Sequence, residues 1–275
     1  MNTINLNTWV EFKEAISALY GDCEKLREKV KPRHVSEPVF RGQADSDWKL
    51  ETTLEREARG PFPVELYHLH LVTPSLRMLS GTSLLEAMPE ENLDLSYDSI
   101  NRTLPLYEKL GFLRHHGFPS PLLDWSYSPF VAAYFAFSLI PVGTRSHAAI
   151  FCYQEYFGDG KMYERGKPKI NCMGPWAGVH ERHIRQQSTY TYCVCEINER
   201  MRFVSHADAE KSDNSFYPQS DVVTKFVIPL EDRKNILIDL HRMNITAFSL
   251  FGTEDALVQT VGALASNNVF PYEFK

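Results

Sequence analysis

The chain lacks the short motifs that announce a common chemistry. Its 275 residues contain no Gly-x-Gly-x-x-Gly, no P-loop, no His-Glu-x-x-His and no Gly-x-Ser-x-Gly. Cysteine is scarce: five residues, an odd number without framework spacing, rule out a disulfide-stapled scaffold. Long apolar runs are missing too. The longest, Phe130 to Ile140, is about half the length a bilayer requires and is broken by Ser138. The opening Met-Asn-Thr-Ile-Asn-Leu-Asn has neither the basic nor the apolar region of a secretory signal, so the expectation is a soluble, cytoplasmic protein without membrane association. There is no basic surplus: 29 Lys and Arg face 35 Asp and Glu, a net charge of −6. That excludes a global electrostatic grip on nucleic acid and leaves room for a local basic patch.

What is present reads as a globular protein. Apolar residues at 43% and charged residues at 23% exclude collagen-like, coiled-coil and wholly disordered chains. Thr8-Trp9-Val10-Glu11 has capping-box spacing, and Trp9, Phe12, Ala15, Ile16 and Leu19 follow at helical period, which predicts a helix over 7–20. Pro38 to Gln43 reads as a short strand. Glu51 to Leu79 reads as helix broken at Gly60-Pro61-Phe62-Pro63, and Gly81 to Ser96 as loop. Ile100 to Leu113 is helical with a kink or late start at Pro105. Leu122 to Trp125 is a buried strand, and Ser128-Pro129 starts a helix with proline in its first turn. Strands are expected at Ala148–Tyr153, Thr189–Ile197, Phe226–Pro229 and Ile245–Leu250, with helices at Glu231–Met243 and Thr253–Leu264. Phe157–Val179 reads as a long loop or lid and Ser205–Ser220 as a polar loop. No repeat or linker interrupts the chain. The fold class is α/β of the α+β kind: a single mixed-sheet domain over 1–275, with helical insertions and its core motifs within 38–265.

Few residues carry chemistry. Cys193 and Cys195 alternate on a predicted strand and would point the same way. They could ligate a metal, but two core cysteines fit better, since no further ligands stand at recognisable spacing. His115-His116 meets the same objection, and no metal site is expected. In Phe40-Arg41-Gly42-Gln43, an arginine on a strand precedes a glycine whose backbone something can approach closely. A guanidinium there suits bidentate phosphate binding, or simply sits in water at a sheet edge. In Asp124-Trp125-Ser126-Tyr127-Ser128-Pro129, one serine can cap the following helix while the other faces a cleft; both can equally be turn residues.

On these residues the chain resembles the FRG domain family, named for the Phe-Arg-Gly triplet found here at 40–42. The likeness extends to Gln43, Trp48 and Leu50. It continues through His115-x-Gly117-x-Pro119-Ser120-x-Leu122-Leu123-Asp124-Trp125-Ser126-x-Ser128-Pro129 and Ala132-Ala133-Tyr134-Phe135-Ala136. Arg182-x-Ile184-x-Gln186-Gln187 with Tyr190, Lys225-Phe226-x-Ile228-Pro229 and Ser249-Leu250-Phe251 complete it. Ser188 stands where a glycine usually follows the glutamines, and Gly252 where a proline usually follows Leu-Phe.

A more distant resemblance, to ADP-ribosyltransferases of the Arg–Ser–Glu type, implies a mechanism and an ADP-ribosyltransferase-like fold. It implies that Arg41 holds the phosphates or ribose of NAD, that Phe40, Gly42 and Gln43 flank it, and that Ser126 and Ser128 line the nicotinamide pocket. His115 and Asp124 would form a polar layer behind it. Gln186 aligns with the catalytic element but cannot supply negative charge. Glu254 is the candidate carboxylate, with Glu181 and Glu196 as rivals; Glu254 is equally a first-turn helix acid. The implied activity is cleavage of the nicotinamide glycosidic bond with transfer of ADP-ribose to water or to a macromolecule, protein or nucleic acid, in a toxin-like or anti-phage setting. The competing expectation is a non-catalytic nucleotide- or partner-binding module on the same fold. A nuclease or metal hydrolase built on His115 and Asp124 ranks last for want of a ligand cluster.

Overall fold

The computed structural model describes residues 1–31, 35–79, 94–96, 100, 104, 106–141, 146–156, 165–173, 181–210 and 220–266. Among these residues the centre is one mixed sheet of nine strands: β1 (Asn2–Asn5), β2 (Val39–Gln43), β3 (Phe62–Pro63), β4 (Leu123–Ser126), β5 (His147–Tyr156), β6 (Lys169–Met173), β7 (Ser188–Ile197), β8 (Arg200–Phe203) and β9 (Ser220–Pro229). The order is β1-β9-β5-β2-β4-β7-β8-β3, with β6 paired to β7. β1 runs parallel to β9 and the other pairs are antiparallel, which makes this an α+β fold.

Strand register explains where a cleft can form. Side chains of directly paired residues share a face, as do residues two apart on one strand. Cys152 pairs with Phe40, Phe40 with Ser126, and Asp124 with Tyr190. Cys152 and Phe40 belong to a core under helices Trp9–Lys29, Pro129–Phe137 and Arg233–Arg242. Tyr190 belongs to a second core, under the Val64–Leu79 segment and helix Tyr107–His115. The two cores therefore lie on the same face, with the polar Ser126 and Asp124 between them. A third core, including Val39, Leu123, Trp125, Phe151, Cys193 and Cys195, covers the opposite face.

The helix Trp9–Lys29 runs past the expected end because its buried stripe continues to Cys23. Thr8 caps it by accepting from the Glu11 amide at 3.2 Å, while Glu11 accepts from the Asn7 amide at 2.8 Å. Its start is tied to the C-terminal part of the chain: Asp232 accepts from the Trp9 amide at 2.7 Å. Asp239 accepts from Trp9 Nε1 at 2.8 Å and from Lys13 Nζ at 2.9 Å. Helix Pro129–Phe137 is capped by Ser128, which accepts from the Val131 amide, and Arg233 donates to the carbonyls of Phe137 and Ser138.

Several expectations are corrected. Ile245–Leu250, read as a strand, is instead the start of helix Ala247–Phe251, because Thr246 and Ser249 form a capping box and Ala247 and Leu250 bury one side of a turn. The expected Phe157–Val179 loop contains β6, and the expected Ser205–Ser220 loop contains helix His206–Glu210; residues 157–164, 174–180 and 211–219 lie outside the described ones. So do Pro105 and most of the Gly81–Ser96 loop. Cys193 and Cys195, expected as core residues, are both buried in the third core.

Gly42 sits where β2 crosses helix Pro129–Phe137. A Cβ there would overlap the Ala132 carbonyl oxygen and come within 2.7 Å of the Ala136 amide. Both obstacles are backbone, so relief requires the strand and helix to separate. Gly42→Ala is expected to destabilise the protein by about 1–3 kcal/mol through overpacking, measured by urea denaturation.

Asp239 gives a pH-dependent test. Hydrogen bonds from Lys13 and Trp9 hold its carboxyl below the usual range against a smaller opposing effect of burial. A depressed folded value means the stabilisation is complete above the unfolded value of about 3.9 and is lost as pH falls through the folded one. Asp239→Ala should cost about 1–3 kcal/mol at neutral pH, and that gap should shrink in denaturation curves taken at about pH 2.

Candidate functional site

Between the two cores the sheet opens. Phe40 opposite Ser126 is the residue pair joining β2 to β4 among the described residues. Beyond it lies a cleft of about 870 Å³, lined by both strands, helix Pro129–Phe137, the Ala44–Arg56 segment and the Arg182–Tyr190 and Phe251 region.

The floor is a shared ion pair. Arg114, in the last turn of helix Tyr107–His115, grips Asp124 with two parallel bonds: Nε to Oδ1 at 2.6 Å and Nη2 to Oδ2. Arg41 crosses the opening from β2, donating Nη1 to the Asp124 carbonyl at 2.8 Å and standing 3.6 Å from Oδ2. The carboxylate thus answers two guanidiniums. Burial lowers the Arg41 pKa, with Asp124 opposing it. At Arg114 burial acts the same way, but the Asp124 carboxylate outweighs it and the pKa rises. Both remain cations at any ordinary pH. Arg41 Nε and Arg114 Nη1 are buried and donate to nothing among the described residues. Such donors are costly to leave unmet, and they mark a place for an acceptor.

Charge and shape around this floor agree. Arg41, Lys49, Arg56, Arg114 and Arg182 line the cleft against only Glu51 and Asp124 among the described carboxylates. A chain with a net charge of −6 has gathered a cationic excess here. Aromatic rings complete the walls: Trp48, Phe118, Phe135, Tyr190 and Phe251. Arg182 lies over the Phe251 ring at 4.6 Å from its centroid, and Phe135 meets the same ring edge-on. The Tyr190 hydroxyl bonds to His183 Nε2 at 2.8 Å, and burial followed by the Asp124 charge raises its pKa.

The residues proposed from sequence divide into those brought to the cleft and those left outside. Phe40, Arg41, Gly42, Gln43, Asp124, Ser126 and Gln186 line it. Gln43 Nε2 donates to the Lys49 carbonyl at 3.1 Å, holding the wall, while its buried Oε1 has no partner among the described residues. The Ser126 hydroxyl donates to the Gln186 carbonyl at 2.7 Å and accepts from the Ser128 amide at 3.0 Å, so it fastens the end of β4. Ser128 is the helix cap and does not line the cleft. Gln186 Nε2 donates to the Leu250 carbonyl. The carboxylates stand elsewhere: Glu254 is exposed at a helix start, Glu181 pairs with Arg185, and Glu196 pairs with Arg165. His115 ends its helix; its side chain lies outside the described residues. Arg114, Lys49, Arg56, Glu51 and Arg182 were not singled out as site residues from sequence. Arg114 adjoins the His115 motif ten residues before its partner Asp124, but nothing in that spacing fixes a contact between helix and strand.

Comparison with known proteins adds one finding. Residues 36–141 match the FRG domain. The matched segment holds β2, β4, helix Pro129–Phe137 and all three members of the Arg41–Asp124–Arg114 cluster. The wall formed by Arg182, Gln186, Tyr190 and Phe251 lies beyond it. No curated protein and no solved structure gives a significant match to the chain.

Removing the shared carboxylate should expose the charge imbalance. Asp124→Ala is expected to destabilise by about 1–3 kcal/mol, less than for a fully buried pair because the Asp124 side chain is 46% exposed. Added inorganic diphosphate should restore part of the loss by binding the freed guanidiniums, read as a recovered melting temperature.

Proposed function

We propose that the cleft binds NAD and that the protein cleaves its nicotinamide glycosidic bond, passing ADP-ribose to water or to a macromolecule. The carrying observation is the pair of guanidiniums that share Asp124 yet keep Arg41 Nε and Arg114 Nη1 unmet. Two planar cations with spare donors in a partly dry cleft suit a diphosphate, whose oxygens accept bidentate bonds. The volume lies within the range of small-molecule sites. Phe135, Phe251 and Trp48 offer the ring surfaces that a base or nicotinamide stacks on. On this reading the fold is ADP-ribosyltransferase-like, and the biological setting is a toxin or an anti-phage defence protein.

A second reading keeps the ligand and drops the chemistry. It is favoured by the position of Glu254, Glu181 and Glu196 outside the cleft lining, which leaves the carboxylates named from sequence without access to a bound ribose. The protein would then be a nucleotide-binding module. Calorimetry with NAD and chromatography of released nicotinamide separate the two readings.

Arg41→Ala tests what they share. Loss of a guanidinium–phosphate pair in this setting should cost about 2–5 kcal/mol of binding, or roughly 30- to several-thousand-fold in affinity. Arg41 donates to a backbone carbonyl, so a melt must accompany the titration. Unchanged NAD affinity in a folded Arg41→Ala protein would eliminate the dinucleotide reading.

A further inference from the structure

Resting on the NAD reading, we infer that Glu51 is the catalytic carboxylate of the cleft, stabilising the ribosyl cation and taking the proton of the attacking hydroxyl. Breaking the bond between the ribose C1′ and the nicotinamide nitrogen sends the electron pair out with nicotinamide, which leaves neutral. Positive charge is left on the ribose. A cleft with five cationic side chains opposes that charge, so the reaction needs a carboxylate whose own charge is still unspent.

Among the described residues the lining offers two. Asp124 is consumed: both oxygens are held by Arg114, and Arg41 stands beside it. Glu51 is not. Its Oε1 is 3.9 Å from Lys49 Nζ, a residue 81% exposed to water, where an ion pair is well screened. Neither Glu51 oxygen accepts a hydrogen bond from the described residues. The helix that follows does not use it either. Thr52 and Glu55 form the capping box of helix Thr53–Ala58, with Thr52 Oγ1 accepting from the Glu55 amide and Glu55 accepting from the Thr52 amide.

The backbone of Glu51 is nonetheless fixed. Its amide donates to the Lys49 carbonyl at 3.0 Å and its carbonyl accepts from Arg56 Nη1 at 3.1 Å. The site therefore holds a carboxylate on an anchored backbone, at the wall of a cationic cleft, with no structural employment. In the completed step the oxygen of water or an acceptor hydroxyl bonds to C1′. Its proton goes to Glu51 and from there to solvent, which the half-buried side chain reaches.

The test compares wild type, Glu51→Gln and Glu51→Asp, each checked by a thermal melt. NAD affinity is measured by calorimetry, and nicotinamide release by chromatography as a function of pH. Glu51→Gln should keep NAD affinity within about threefold and lose nicotinamide release by about 100-fold or more, the usual scale for a general base. The acid limb of the wild-type pH profile should vanish with it, and Glu51→Asp should recover part of the rate. Release by Glu51→Gln at the wild-type rate overturns the role of Glu51 and leaves the NAD reading standing. Parallel loss of affinity and release overturns it as well, since Glu51 would then only shape the cleft. A wild type that binds NAD and releases no nicotinamide overturns both the role and the transfer chemistry.

Discussion

The shared ion pair of Arg41, Asp124 and Arg114 is the constraint on which the site depends. A sheet that parts between two strands exposes backbone groups that normally bond across the gap. Arg41 answers one of them, the Asp124 carbonyl, with a side-chain N–H, while the Asp124 carboxylate draws helix Tyr107–His115 to the opposite wall. One cluster thus links β2, β4 and that helix and leaves the space between them open. The arrangement is expensive in a dry environment. Two desolvated guanidiniums on one carboxylate carry surplus charge, and surplus donors with it. On the proposed function, an anionic ligand would supply the acceptors that the protein withholds.

The same face explains why the cleft lies here. Register puts Cys152, Phe40, Ser126, Asp124 and Tyr190 on one side of the sheet. The helices above it bury apolar residues at both ends and meet a polar interval at Ser126 and Asp124. Hydrophobic cover cannot extend across that interval without stranding a carboxylate, so the two helical layers remain apart. The cleft is a consequence of two polar residues at alternate positions of a four-residue strand.

This logic also sets what the sequence could disclose. The strand around Arg41 and the Asp124–Ser126 strand were legible because proline, glycine and β-forming residues bracket them, and the helix beginning at Pro129 because Ser128 and proline mark its start. Cys193 and Cys195 read as core thiols and are buried in the core. Contacts between distant segments were not legible. Arg114 looks like any cation near a helix end, and only the packing of its helix against β4 makes it half of a clamp. Arg182 and Phe251 are separated by almost seventy residues. Glu254, Glu181 and Glu196 carry the right charge, but none of them lines the cleft. At Ile245–Leu250 a short apolar run fits strand or helix alike, and the Thr246–Ser249 capping box decided for helix.

The Phe-Arg-Gly triplet acquires a physical meaning at this junction. Phe40 is fully buried in the core beneath helix Pro129–Phe137. Gly42 lets the same helix approach so closely that its carbonyl at Ala132 occupies the space of a side chain. Arg41, between them, emerges on the other side of the strand and spans the opening to Asp124. The glycine's open backbone is approached closely by the helix, while Gly42 still lines the cleft. That contact fixes the height of β2 against the helix and hence the position from which Arg41 reaches. A bulkier residue at 42 would move the strand and with it the guanidinium, although it touches no part of the clamp. The three residues act on one coordinate: the width of the opening across which two arginines share a carboxylate.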